Sequence, residues 1–289
     1  MGKRLQKEEM DSLTSKVDEE FTKFLKEGKY KEVLCSLSNL GHYSFNNQLY
    51  ILSQRNDAKT LYTFRKWLSL GRSVKKGEKS IKIFRPIKGK KEESDDNAFK
   101  CRGFGIEHVF DISQTDGDEY DVFSFDEGKV VSNKNEILKA LNTVADKIEY
   151  NISYASYKEL GDDCYGYCDH ENKKIKILQK LPDLQEISTT IHECGHALAH
   201  SSFRPDFKGL TIKEKREIKE VEAESIACLV CYYLGLNTQN FNFSYIAAWS
   251  EGDIKKFRKN LEVVSKHSKT IIDEIDNALN LKKEPSFIS

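Results

Sequence analysis

The chain has 289 residues, 38% of them apolar and 32% charged, with a formal net charge of zero. That length favours two domains over one, and the balance suits buried cores beneath a well-solvated surface. Met1-Gly2-Lys3-Arg4 leads into charge rather than an apolar signal segment, and Gln6 stands where a myristoylation signal needs Ser or Thr. The longest nearly apolar run, 226–236, falls far short of the roughly 20 residues that span a bilayer. A cytoplasmic protein without a membrane partner is expected, its seven cysteines reduced rather than paired. Zero net charge hides a polarity: Arg55 to Lys91 carries thirteen Lys or Arg against two acids (+11), and Glu92 to Glu127 carries twelve acids against two bases (−10).

In chain order, Leu13, Val17, Phe21 and Phe24 recur at helical spacing and predict a helix over 7–26. Further helices are expected over 30–37 and from Ser44 to Gln54, with Ser44 as N-cap and Gln48 one residue late for a capping box. Residues 63–70 read as a short helix closed by Gly71. Alternation at Ile81 and Ile83 predicts a strand over 80–86, residues 88–98 a solvated loop, and 105–112 another strand. Asp116-Gly117-Asp118 reads as a turn, and the acidic stretch to Glu127-Gly128 as an interdomain linker. A second unit then opens with a helix over 135–147, strand candidates over 151–157, 164–169 and 174–178, and a helix from Asp183 to about Ser201. The buried stripe of that helix is Leu184, Ile187, Ile191, Cys194 and Leu198. Helices over 213–234, 244–249 and 253–279 complete an α+β chain of two domains, 1–128 and 129–289.

His192-Glu193-Cys194-Gly195-His196 falls inside the predicted 183–201 helix. Positions four apart share a helical face, so both imidazoles can reach one ion, and the glutamate beside the first can hold a water. This pattern points to a Zn2+ site with Glu193 as the catalytic carboxylate. A third ligand is expected from the 213–234 helix. Glu220 and Glu224 share a face there, while Glu222 lies about 200° away from Glu220. Glu220 is the expected ligand, Glu217 its competitor one turn back, and Glu224 a carboxylate that orients a ligand histidine. His200 continues the histidine face about 6 Å further along the helix, which suits a role behind the ligands better than one on the metal. Cys164, Cys168, Cys228 and Cys231 read as packed thiols rather than as a second, structural zinc site.

The stretch from Tyr62 to Lys79 mixes cations with large rings, the combination that holds single strands through phosphates and base faces. Arg65, Lys66, Trp67, Arg72, Lys75, Lys76 and Lys79 are the DNA-contact candidates; the competing reading is a basic surface over an aromatic core, with Phe64 and Trp67 inside it.

Several stretches together resemble the ArdC-like antirestriction proteins of plasmids and mobile elements. They are Tyr43-Ser44 to Gln48, Thr63-Phe64 to Trp67 with Gly71, Lys76 to Lys79, Val109-Phe110-Asp111 to Gln114-Thr115, Gly166-Tyr167, His192 to His196, Glu220 to Ala227, and Tyr245-Ile246-Ala247 to Trp249. The resemblance implies an N-terminal single-stranded-DNA-binding domain and a C-terminal zincin-like metallopeptidase domain acting on an unidentified peptide. Around the two motif helices the chain is also similar to the ImmA/IrrE peptidases. Cys194 departs from the family's pattern and is expected to set a thiol beside the metal. Two other functions compete: a DNA-binding protein whose zinc is structural only, and a peptidase that cuts a mobile-element repressor.

Overall fold

The structure is a computed structural model and describes residues 5, 7–88, 101–120, 125–161, 164–201, 204–237, 241 and 253–281. Met1–Lys29 and Asn39–Val122 belong to one unit, Tyr30–Ser38 and Phe123–Glu284 to another. Three helices come first, α1 (Lys7–Lys26), α2 (Tyr30–Ser38) and α3 (Phe45–Gln54). Although α2 lies between α1 and α3 in sequence, it packs with the second unit.

The sheet of the first unit is antiparallel, in the order β1 (Leu61–Tyr62), β4 (Cys101–Asp111), β3 (Ile81–Lys88). Val17, Phe21, Leu49, Ile51, Leu61, Ile81, Ile83 and Val109 fill its core. Helix α4 (Phe64–Ser69) starts where the Thr63 hydroxyl accepts the Lys66 N–H. The expected turn at Asp116-Gly117 is instead part of β5 (Thr115–Gly117), which pairs with β2 (Arg72–Val74). Local turn chemistry lost to a partner some forty residues upstream, helped by the Arg72 guanidinium, which donates to Thr115 Oγ1 (2.8 Å) and Thr115 O (3.0 Å). A Cβ at Gly117 would lie 2.3 Å from the Gly71 carbonyl, so only glycine allows this pairing.

Strand β3 ends the sheet, and an open edge would leave its amides unpaired. Helix α3 supplies the partners from side chains. Asn47 accepts the Phe84 N–H (2.7 Å) and donates to the Phe84 carbonyl (2.9 Å); Gln54 treats Lys82 in the same reciprocal way, at 2.9 Å for both bonds. Ser44 occupies the expected N-cap position but makes no side-chain cap bond, and Gln48, one residue late for a capping box, donates to the Leu40 carbonyl.

The second unit holds α5 (Glu127–Ser132), α6 (Lys134–Lys147), β6 (Asn151–Ala155), α7 (Tyr157–Leu160), β7 (Gly166–Asp169), β8 (Lys174–Leu178), α8 (Asp183–His200), α9 (Ile212–Tyr233) and α10 (Ile254–Ala278). Glu127-Gly128, expected in a linker, opens α5 instead, because Asp126 accepts the Lys129 N–H and caps a helix there. The sheet order is β6-β8-β7, with β6 parallel and β7 antiparallel to β8. Ile175 and Ile177 of β8, Ile137 and Leu141 of α6, Ile187 and Ile191 of α8, and Val221, Ile226 and Val230 of α9 form the core. Helix α2 is held here by Tyr30, whose hydroxyl meets Ser225 Oγ and Asn260 Oδ1, both at 2.8 Å. The expected helix over 244–249 and most of the 88–98 loop lie outside the described residues. Among the described residues no helix is long and apolar enough to cross a membrane.

Replacing Asn47 by leucine keeps the bulk but strands two buried backbone groups of Phe84. An unfolding free energy lower by about 2–3 kcal/mol is expected, measured by urea denaturation; a loss no larger than that of an exposed-site variant contradicts the docking role.

Candidate metal centre

Helix α8 turns His192 and His196 to one face, and α9 brings Glu220 against them. His192 Nε2 and His196 Nε2 are 3.1 Å apart, and Glu220 Oε2 lies 3.8 Å from the first and 3.5 Å from the second. Donors about 2.1 Å from a tetrahedral ion sit about 3.4 Å from one another, so this spacing fits one small cation. Among the described residues these three form the one group of His, Cys, Asp or Glu able to share an ion, all donors lying within 4.8 Å. Glu217 is not in the group; it faces Lys213 at 3.9 Å.

The surrounding groups fall on two sides. Glu224 Oε2 stands 3.4 Å from His192 Nδ1. Behind His196, His200 Nδ1 lies 3.3 Å from His196 Nδ1, and His200 Nε2 meets Glu222 Oε2 at 2.9 Å. Glu222 is fully buried and forks onto Arg204, which also holds Asp206 at 2.7 Å. Glu222 therefore turns to His200 and away from the donor cluster. Glu193 is buried in the wall of a cavity of about 620 Å3 that also touches Gly166, Tyr167, Cys168, His170, His192 and His196. Burial pushes the Glu193 carboxyl above its ordinary range, against the pull of His192 and His196, while neighbouring His196 holds Glu220 below its own. Gly166 is what lets β7 lie against α8: a Cβ there would stand 2.9 Å from Thr189 Cγ2 and 3.1 Å from Glu193 Cγ.

Cys194 corrects an expectation. Its thiol is buried on the opposite side of α8, against the Leu141 carbonyl of α6 at 3.9 Å, and it does not face the donors. Two residues along a helix is a rotation of about 200°, so its place in the buried stripe excludes one beside the metal. Among the described side chains, the thiols of Cys35, Cys164, Cys168, Cys228 and Cys231 are also free of disulfides. Sequence reasoning missed His170, Arg204 and the cavity-lining cations Lys215, Arg216 and Lys219. None of these has a spacing rule; only the closeness of Gly166-Tyr167 to His170 in sequence hinted at one of them.

In the first unit the basic candidates divide. Arg65, Lys75, Lys76 and Lys79 are exposed and Lys66 half-buried, 5.8 Å from the centre of the Tyr62 ring. Arg72 is engaged with Thr115 and the 117–118 backbone. Trp67 is 0% exposed and donates its indole N–H to the Phe110 carbonyl, so it offers no face to a base and leaves the contact set. Phe64, 48% exposed on the same helix and edge-on to Phe110 at 6.4 Å, presents the accessible ring. The loop carrying Lys75 to Lys79 is fixed from below by Gln114, which accepts the Asp111 N–H and donates to Glu78 Oε2 and the Lys79 carbonyl.

Residues 3–123 match the family described as the N-terminal domain of anti-restriction factor ArdC. Over those residues the chain is ArdC-like. An uncharacterized protein of Bacillus anthracis, pXO2-81, is 25% identical over 317 residues, a match that takes in 95% of this chain and 52% of the relative, so the chain spans about half the length of that curated relative. Among solved structures, metal-free antirestriction ArdC from plasmid R388 aligns with TM-score 0.49 and 19% identity over 83% of this chain and 87% of that one. Its Mn(II)-bound form aligns with TM-score 0.49 and 18% identity over 83% and 86%. Within the ArdC-like N-terminal domain, the stretches around Lys76–Lys79 and Asp111–Thr115 are the two halves of the Gln114-centred brace.

Two imidazoles of the second unit are strongly displaced. Burial, together with Lys219 for His170 and Lys266 for His267 of α10, pushes both down to about 4. Both stay neutral in the folded protein but bind a proton near about 6.5 once unfolded. The unfolded chain thus holds more protons between those values, and stability falls as the pH drops from about 6.5 toward 4. The thermal midpoint of the metal-free protein should decline across that window, and His267→Gln should flatten the decline; identical slopes for the two proteins contradict the assignment.

Proposed function

We propose that the second unit is a zinc metallopeptidase and the first a single-stranded-DNA-binding domain, together serving antirestriction or mobile-element maintenance in the cytoplasm. The observation that carries the reading is the donor cluster of His192, His196 and Glu220 opening into a cavity whose wall holds Glu193. Two imidazole nitrogens and one carboxylate oxygen suit zinc among divalent ions. Zinc, when bound, supplies Lewis acidity and brings the ionisation of water near neutral pH. Glu193 is the carboxylate that takes a proton from water and returns it to the leaving nitrogen.

The residues behind the ligands fix their tautomers. Glu222, paired with Arg204, is an acceptor only, so His200 donates to it through Nε2–H and keeps a bare Nδ1. That nitrogen accepts the Nδ1–H of His196, which leaves His196 Nε2 with its lone pair toward the cluster. Glu224 acts likewise on His192 Nδ1. The resemblance of the α8 and α9 sequences to the ImmA/IrrE peptidases agrees with this reading, and likeness to an anti-restriction factor over residues 3–123 supports the cellular role.

Zinc titration tests the centre. His192→Ala with His196→Ala should abolish stoichiometric binding, and His200→Leu should weaken it about 10–100-fold. Glu193→Gln should keep the ion and lose peptide cleavage while retaining DNA binding. Stoichiometric zinc in the double variant would falsify the ligand assignment, and full cleavage by Glu193→Gln removes the general base.

Binding of single-stranded oligonucleotides tests the other unit. Phe64→Ala should cost about 1–3 kcal/mol of affinity if its ring stacks on a base, read by fluorescence anisotropy, and affinity should fall steeply with salt. An unchanged dissociation constant, with no salt dependence, would remove the basic loop and Phe64 from any DNA site.

A further inference from the structure

The cavity beside the donor cluster carries cations that the chemistry proposed above does not use. Lys215, Arg216 and Lys219 of α9 line it, together with the exposed Ile212, and among the described residues the acids on its wall are Glu193 and Glu220. Both acids are already committed, one to the water and one to the ion. The other acids of this stretch are committed too: Glu214 closes a capping box on Thr211, and Glu217 faces Lys213. No ion pair of Lys215 or Lys219 is found among the described residues, although the two sit one helical turn apart, where like charges repel. With a divalent cation at the cluster, the cavity is strongly positive.

The opposite wall is a strand edge. β7 pairs with β8 on one side, and among the described residues no strand pairs with its other side. Gly166, Tyr167 and Cys168 of β7 line the same cavity. Such an edge accepts an extended chain through main-chain hydrogen bonds, while the facing side chains select its sequence.

We propose that this site takes an extended peptide segment added along β7 with Asp or Glu beside the scissile bond, the carboxylates being received by Lys215 and Lys219, with Arg216 at the rim. The proposal rests on the metallopeptidase reading and adds the substrate class to it. An acidic peptide fits both walls at once; a nucleic-acid backbone would match the cations but has no donors and acceptors in register with a strand edge.

The zinc-loaded full-length protein is incubated with a proteome-derived peptide library, and cleavage sites are read by mass spectrometry. Asp and Glu should be enriched next to the cut, and K215E/K219E, with zinc content and circular dichroism unchanged, should shift the preference toward Lys and Arg. On a matched pair of peptides, the acidic one should be cut about tenfold better by the wild type. Cleavage without acidic enrichment overturns the substrate class and leaves the peptidase reading standing. If no peptide is cut, the peptidase reading fails, and anisotropy with a labelled acidic decapeptide on Glu193→Gln decides the site: binding about tenfold tighter than to its neutral analogue sustains it, equal binding overturns it. Displacement of that peptide by a single-stranded oligonucleotide, lost in K215E/K219E, assigns the cations to nucleic acid and likewise overturns it. Should K215E/K219E fail to fold, the wild-type enrichment decides alone.

Discussion

The close seat of α9 against α8 is the constraint on which the donor cluster depends. Its donors come from two helices, and a carboxylate side chain is too short to reach across a wide gap. Gly195, midway between the helices' functional residues, opens the approach: a Cβ on it would already stand 3.4–3.5 Å from Ile226 and Ala223. Ala223 and Ala227 continue the small surface on α9, both buried. In a second layer behind the donors, His200 and Glu222 are buried. Their polar groups are satisfied by one another and by Arg204.

That second layer also shows what a buried ion pair is good for. Desolvating Arg204 and Glu222 is costly, and such a pair gives little net stability by itself. Its value here is orientation. A carboxylate whose oxygens both receive an arginine fork acts as an acceptor toward His200, and each imidazole in the line is thereby left one matching tautomer. Rigidity thus passes from the 204–206 segment, along one face of α8, to the imidazole nitrogen that His196 turns to the donor cluster.

How much of this the sequence disclosed follows from geometry. Residues on one helix have fixed angular relations, so the shared face of His192 and His196, and the separation of Glu222 from Glu220 and Glu224, can be read directly from spacing. The same arithmetic, applied to Cys194, places it opposite the histidines, and the expectation of a thiol at the metal failed because adjacency in sequence was taken for adjacency in space. Contacts between distant segments are illegible in this way. Nothing local in Thr115-Asp116-Gly117 announces β2 as its partner, and nothing in Tyr30 announces Ser225 and Asn260. Trp67 and Phe64 show the limit on one short helix: both are large rings three residues apart, yet one is core and the other half-exposed, a choice made by the β4 carbonyl that takes the indole N–H.

The docking of α3 on β3 has a consequence for how the basic unit can change. Asn47 and Gln54 recognise main-chain atoms of Phe84 and Lys82, not their side chains. The attachment is therefore indifferent to what the outward positions of the strand carry. The Lys82 and Arg85 side chains project from a strand whose anchorage does not involve those side chains, so the charge on that surface is free to drift under mutation. The two amides have no such latitude. Aspartate or glutamate in their place keeps the acceptor but loses the N–H donor, setting a carboxylate oxygen against a carbonyl, so the variable and the invariant parts of this attachment lie on opposite partners.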